Sequence, residues 1–171
     1  MTGTVTLRPA ASEDRGFLLT LYASTREEEL APLGWDDSQK RAFVEMQFNA
    51  QTRCYPKGDN RIILWDDRAV GRILTDRRDE SILLVDIALL PEYRNLGIGT
   101  SLVKDLLREG AATGKQVVLH VFKFSPAVRL YERLGFSTVG DDSAYLEMVW
   151  LSNSQSSLNS GEIAYSQESK A

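Results

Sequence analysis

The chain reads as a mixed α/β fold, a largely antiparallel sheet flanked by helices. Three observations predict it: two helical stretches near the N-terminus, a β-hairpin followed by another strand between Arg61 and Leu90, and an apolar strand running into a glycine turn and a third helix. With 171 residues, 43% hydrophobic and 26% charged, one globular domain is expected. It should occupy 1–151. From Ser152 the composition turns to Ser, Asn, Gln and Glu, so 152–171 is expected to be a flexible polar tail.

Taken in order, Thr4 to Arg8 alternates Val5 and Leu7 with polar neighbours, a short strand closed by Pro9. Ser12 is placed to cap a first helix with Phe17, Leu18, Leu21 and Tyr22 as its apolar stripe. The acidic run Glu27-Glu28-Glu29 near its end reads as a solvated helix end or as an acidic lip for an ammonium substrate. The Asp36-Asp37-Ser38 cluster caps a second helix from about Ser38 to Thr52, with Phe43, Met46 and Ala50 inward. Trp35, in the loop before it, reads as an edge cover or a pocket wall. Pro56 to Asn60 is a loop; Arg61 to Trp65 and Ala69 to Thr75 then form a hairpin across Asp66-Asp67.

Ile82 to Leu90 is a run of aliphatic residues too short to span a membrane, and Pro91 bars its continuation, so it is read as a buried strand. Gly97 and Gly99 follow without Cβ atoms, and Leu102, Val103, Leu106 and Leu107 recur at helical spacing. Strand, glycine turn and helix start in that order leave unpaired N–H groups at the positive end of a helix dipole, a seat for phosphate or pyrophosphate. A P-loop needs Lys-Ser/Thr directly after the last glycine, where Thr100-Ser101 stand here. A dinucleotide fingerprint needs a small third residue where Leu102 stands.

The rest of the chain supplies a strand over Gln116 to Val121, a helix from Ser125-Pro126 to Gly135, and closing strands over Ser137 to Asp142 and Tyr145 to Leu151. His120, within a β-branched run, reads as a packed residue.

Arg94-Asn95-Leu96-Gly97-Ile98-Gly99 resembles the Arg/Gln-x-x-Gly-x-Gly/Ala loop of the GCN5-related N-acetyltransferase (GNAT) superfamily, whose fold is the acyl-CoA N-acyltransferase-like one. Pro126-Ala127-x-x-Leu130-Tyr131-x-x-x-Gly135-Phe136 resembles that family's second signature segment, and the likeness runs from about Val5 to Leu151. The resemblance implies acetyl-CoA as acyl donor, its pyrophosphate on the main chain of Arg94, Asn95, Leu96, Gly97, Ile98, Gly99 and Thr100. It implies pantetheine contacts at backbone groups near Leu89 and at Ser125, where many members carry an asparagine. It implies that Tyr131 faces the thioester sulfur as proton donor, and that the amine attacks directly.

Asp86 is the base first named: a carboxylate inside an apolar strand feeding the turn needs a partner or a purpose. It reads equally as the ion-pair partner of Arg72 or Arg61. Glu28 and Glu29 stand behind it.

The formal charge of −4 and dispersed Lys and Arg argue against nucleic acid as a partner and agree with a cationic substrate. One cysteine, one histidine and no apolar run of membrane length predict no metal, no disulfide framework, no membrane span and a cytoplasmic location. The expected function is N-acetyl transfer to a primary amine, borne by a small molecule or a peptide, with a homodimer as the default assembly. The alternative is a catalytically weak CoA-binding or interaction module of the same fold.

Overall fold

The structure, a computed structural model, describes residues 3–55 and 58–153. Among them are seven strands and four α-helices. The strands are β1 (Val5–Pro9), β2 (Asp59–Trp65), β3 (Arg68–Arg77), β4 (Ser81–Leu89), β5 (Gln116–Phe122), β6 (Ser137–Asp141) and β7 (Tyr145–Trp150); the helices α1 (Arg15–Leu30) and α2 (Asp37–Cys54) follow β1, α3 (Ile98–Thr113) follows β4 and α4 (Ala127–Arg133) follows β5. These residues fall into two compact units, one from 3–76 with 85–99 and the other from 77–84 with 100–153.

In the first unit β1 pairs antiparallel with β2, and β2 antiparallel with β3. The β2–β3 turn puts Asp66 and Asp67 both at positive φ, +47° and +63°, a mirror-image turn that suits the twist of a hairpin. Leu90 N–H donates to Val70 C=O at 2.8 Å, tying the end of β4 to β3. Ile62, Ile63, Val70, Ile73 and Leu74 are buried in the strands, and Leu21, Leu30, Val44 and Phe48 in the helices. The inward face of α2 differs from expectation: Val44 and Phe48 are buried, whereas Met46 is 60% exposed and Ala50 lies outside. The helix starts at Asp37, where Asp36 accepts from Gln39 N–H at 2.8 Å and Gln39 Oε1 accepts from Asp36 N–H at 3.1 Å; the i,i+4 pair Val44 and Phe48 forms the buried stripe. Phe43 takes Trp35 edge-on instead, ring centroids 5.2 Å apart.

Ser12 does not cap α1. Ser12–Asp14 form a 3₁₀ turn, and Asp14 does the anchoring: it accepts from Ala11 N–H at 2.8 Å and takes both arms of Arg8 at 2.7 Å. That fork holds the Asp14 carboxyl well below its usual range, at about 2, with Ala11 N–H adding to the effect.

In the second unit the strand order is β4-β5-β7-β6. Ser81–Leu84 run parallel to Gln116–Leu119, and the remaining pairings are antiparallel. Leu102, Val103, Leu106 and Leu107 are buried along α3, as their spacing predicts. Of the tail expected over 152–171, Ser152 is buried and 154–171 lie outside the described residues.

Candidate active site

The turn before α3 belongs to the first unit up to Gly99. After a 3₁₀ turn over Pro91–Tyr93, Asn95 and Gly97 adopt φ of +61° and +83°, turning the chain sharply into the helix. A Cβ built on Gly97 meets nothing within 4 Å, and one on Gly99 meets only Ile87 Cδ1 at 3.9 Å. Ile98 between them is buried and anchors the helix start. The main chain at Gly97 and Gly99 is thus left without side chains where it enters the start of α3, whose first N–H groups have no partner within the helix. The Arg94 side chain bonds elsewhere: Nε donates to Leu89 C=O at 2.9 Å and Nη2 to Ser24 Oγ at 3.4 Å. Two predicted cofactor contacts, Arg94 and Leu89, thus bond to each other.

Asp86 sits on β4 with its side chain 31% exposed. Its Oδ2 accepts from Arg72 Nη2 at 2.5 Å, and the same nitrogen donates to Tyr55 Oη at 3.2 Å. Arg72 is the partner rather than Arg61 because the β2–β3 register sets Ile62 opposite Arg72, putting Arg61 on the other face, where it pairs with Asp59 at 2.8 Å. Burial works against the Arg72 charge, but Asp86 more than compensates and raises its pKa. Burial and Asp86 both push the Tyr55 phenol up, so it keeps its proton. No bond to Asp86 Oδ1 is seen among the described residues, which leaves an acceptor beside a phenol donor on one guanidinium. Tyr55 is a residue sequence reasoning missed; it follows a helix end, 17 positions from Arg72, with no local signature.

A cavity of about 710 Å³ opens along α1 and α2, lined by Leu19, Ala23, Ser24, Glu27, Lys40 and Val44 among others. Ser24 is shared with Arg94, so this cavity abuts the residue that opens the turn. Of the weaker base candidates, Glu29 is paired to Arg26 at 3.0 Å and Glu28 is exposed.

The second unit holds Thr100, half-buried on α3, with Ser125 and Tyr131. The short helix begins one residue later than its sequence suggests, at Ala127, with Pro126 already helical at φ −58°. Ser125 Oγ accepts from Ala127 N–H at 3.2 Å, and Ser125 C=O accepts from Val128 N–H at 3.2 Å. Tyr131 is 7% exposed and meets Phe136 edge-on with centroids 5.6 Å apart. Its carbonyl accepts from Leu134 and Phe136 N–H, ending the helix ahead of Gly135 at φ +94°. His120 lies on the solvent face of β5 rather than packed, because odd-numbered residues point inward there.

Among the described residues no helix is long and apolar enough to cross a membrane, and no group of three or more His, Cys, Asp or Glu is placed to hold a metal.

The chain is similar to known proteins in sequence and in fold. Over 59 residues the chain is 41% identical to the N-alpha-acetyltransferase of Sulfurisphaera tokodaii, a stretch covering 33% of this chain and 35% of that protein. It is 33% identical over 70 residues to the cysteine-rich protein 2-binding protein of Mus musculus, 41% of this chain but 9% of that one. The chain therefore spans about a tenth to a third of the length of these curated relatives. In fold it is similar to the PaiA N-acetyltransferase of Thermoplasma acidophilum, solved in complex with coenzyme A: TM-score 0.66, 16% identity, covering 86% of this chain and 99% of that one. A family profile described as Acetyltransferase (GNAT) family matches residues 4–136, most of the sequence, and the chain belongs to that family.

Proposed function

We propose that the protein transfers an acetyl group from acetyl-CoA to a primary amine by direct attack on the thioester. The observation that supports this is the turn at Gly97, at φ +83° with open space where a Cβ would stand, leading directly into the start of α3. Acetyl-CoA, when bound, supplies the activated acyl carbon and a thiol leaving group. Main-chain N–H groups from Asn95 to Thr100 hold the diphosphate, with Arg94 alongside; Leu89 main-chain groups and Ser125 serve the pantetheine arm. A bond forms from the amine nitrogen to the acyl carbon and the carbon–sulfur bond breaks; the amine gives up one proton to the base, the sulfur takes one from Tyr131, and the phenol recovers a proton by way of solvent, so the protons balance.

Tyr131 serves as donor to the leaving sulfur. A thiol near ~8.5 is more acidic than a phenol near ~10, so the phenol stabilises the developing charge by hydrogen bonding and yields its proton late, an effect of about 10² to 10⁴ in rate. Asp86 stands as the base or, through Oδ1, as the acceptor that orients the amine N–H while Arg72 fixes its other oxygen. Freeing a lysine-type amine at pH 7 costs about 4 to 5 kcal/mol, against about 1 kcal/mol for an α-amine. The lower cost and the N-alpha-acetyltransferase relative both favour a peptide α-amine over a side-chain amine. A domain over 1–151, a cytoplasmic location and a homodimer complete the reading.

Calorimetric titration with CoA and acetyl-CoA, beside thiol release across amines and short peptides, tests it. Binding with turnover by peptide α-amines is expected, and Tyr131→Phe should lower kcat by about 10² while keeping its packing. An unchanged kcat removes Tyr131 from the chemistry. A second reading, a CoA-binding module with weak catalysis, is favoured by the internal use of Ser125 Oγ and the packing of Tyr131 on Phe136; tight CoA binding without turnover would establish it.

A further inference from the structure

Two tyrosines of the first unit use their hydroxyls differently. Tyr22 Oη takes Arg26 Nε at 3.2 Å and gives its own proton toward Gln47 Oε1 at 3.5 Å, so both capacities of the phenol are met within the chain. Tyr55 Oη accepts from Arg72 Nη2 at 3.2 Å, but no acceptor for its O–H is seen among the described residues. Since burial and Asp86 raise the pKa of that phenol, its proton is there to be given.

Arg72 is what sets Tyr55 beside Asp86. The guanidinium is buried and gives one nitrogen to both oxygens: Nη2 donates to Asp86 Oδ2 at 2.5 Å as well as to Tyr55 Oη. The two hydrogens of that planar nitrogen diverge, so the carboxylate and the phenol stand side by side rather than against each other. The Arg72 Cζ also lies over the Tyr55 ring, 5.0 Å from its centroid, so the phenol is held by its face and by its oxygen. It is not a loose surface tyrosine.

What remains is a matched pair fixed by one cation: Asp86 Oδ1, which accepts, and the Tyr55 O–H, which donates. The complementary ligand carries donors and an acceptor a short distance apart. An N-terminal residue does, since its amine and its carbonyl oxygen lie about 3 Å apart by standard bond lengths. A lysine side-chain amine ends a four-carbon stem and brings no carbonyl with it.

We propose that Tyr55 is a specificity-determining residue for the acceptor: its O–H binds the carbonyl oxygen next to the amine whose N–H rests on Asp86 Oδ1, so that amines with a carbonyl on the adjacent carbon are selected. The inference rests on acetyl transfer to an amine at this site and adds the group that is read beside the amine. Thiol release from acetyl-CoA by the full chain tests it, with alaninamide against sec-butylamine, which carries an ethyl group in place of the amide. The wild type should show a KM about tenfold lower for alaninamide, both counted as free base. Tyr55→Phe keeps the ring on Arg72 and removes only the hydroxyl. It should raise KM for alaninamide about tenfold with kcat within about twofold, and leave KM for sec-butylamine unchanged. A hydroxyl that only supported the fold or the Asp86 carboxylate would move both amines together, so equal changes overturn the proposal, as does an unchanged KM for alaninamide. Should Tyr55→Phe fail to fold, the wild-type preference decides: equal free-base KM values for the two amines overturn it. Thiol release with neither amine takes away acetyl transfer itself, and this inference with it. The two failures differ on sight, one being turnover without discrimination and the other no turnover at all.

Discussion

Gly97 and Gly135 both stand at helix ends in the left-handed region, at φ +83° and +94°, yet they face opposite surroundings. A Cβ on Gly135 would meet the Trp150 indole at 3.3 Å, whereas one on Gly97 would meet open space. The backbone need is the same; at Gly135 the bare side is filled by the chain itself, and at Gly97, as at Gly34 and Gly114, it is left open. Two Arg–Asp pairs in the first unit repeat the contrast. Arg8 and Asp14 are joined by both arms and both oxygens, with Ala11 N–H completing the set. Arg72 holds Asp86 by one oxygen and leaves the other over. Features that close on themselves are structural; those that leave a group or a space over are where chemistry is to be sought.

The largest effect should come from Arg72→Met, which strands Asp86 and removes the cation on Tyr55. A loss of about 3 kcal/mol in urea unfolding is expected, the low end for a broken buried pair because Asp86 is partly exposed. Gly135→Ala should cost about 2 kcal/mol, from left-handed strain plus displacement of the indole, with CoA affinity intact.

Asp14→Asn sharpens the contrast between the pairs through pH. The Asp14 carboxyl titrates at about 2 when folded, below its unfolded range, so its stabilisation is full above about pH 4 and fades as pH falls toward 2. The Asn variant should lose about 1 to 2 kcal/mol at neutral pH and show a flatter acid limb in pH-dependent melting. Gly97→Ala should have the smallest effect on stability, about 1 kcal/mol of strain, and yet weaken CoA about tenfold by calorimetry. Equal losses of CoA affinity in the two glycine variants would break the contrast.

What the sequence made legible was its punctuation. Pro91, the Gly97-Gly99 turn, the Ser125-Pro126 start and Gly135 mark boundaries by covalent constraint, and the α3 stripe from Leu102 to Leu107 has apolar residues spaced without ambiguity. The phase of α2 was not legible, since apolar residues such as Phe43, Val44, Met46, Phe48 and Ala50 are spread around it and only packing against α1 selects Val44 and Phe48. Nor was the partner of Asp86: Arg61 and Arg72 lie on one hairpin, and only its register separates them. Tyr55 reaches Arg72 from the end of a helix, a contact made by folding and written in no local pattern.

Trp150 sits between two glycines far apart in the chain. Its Cζ3 would lie 3.4 Å from a Cβ on Gly110 of α3, and its Cδ1 3.3 Å from one on Gly135. A methyl group at Gly135 would press directly on the indole, whereas one at Gly110 would press first on the Lys115 carbonyl at 2.8 Å and Val117 Cγ2 at 3.0 Å and only then touch the ring. The indole fills the space beside both bare positions, so its removal should open a cavity that reaches from α3 to the end of α4.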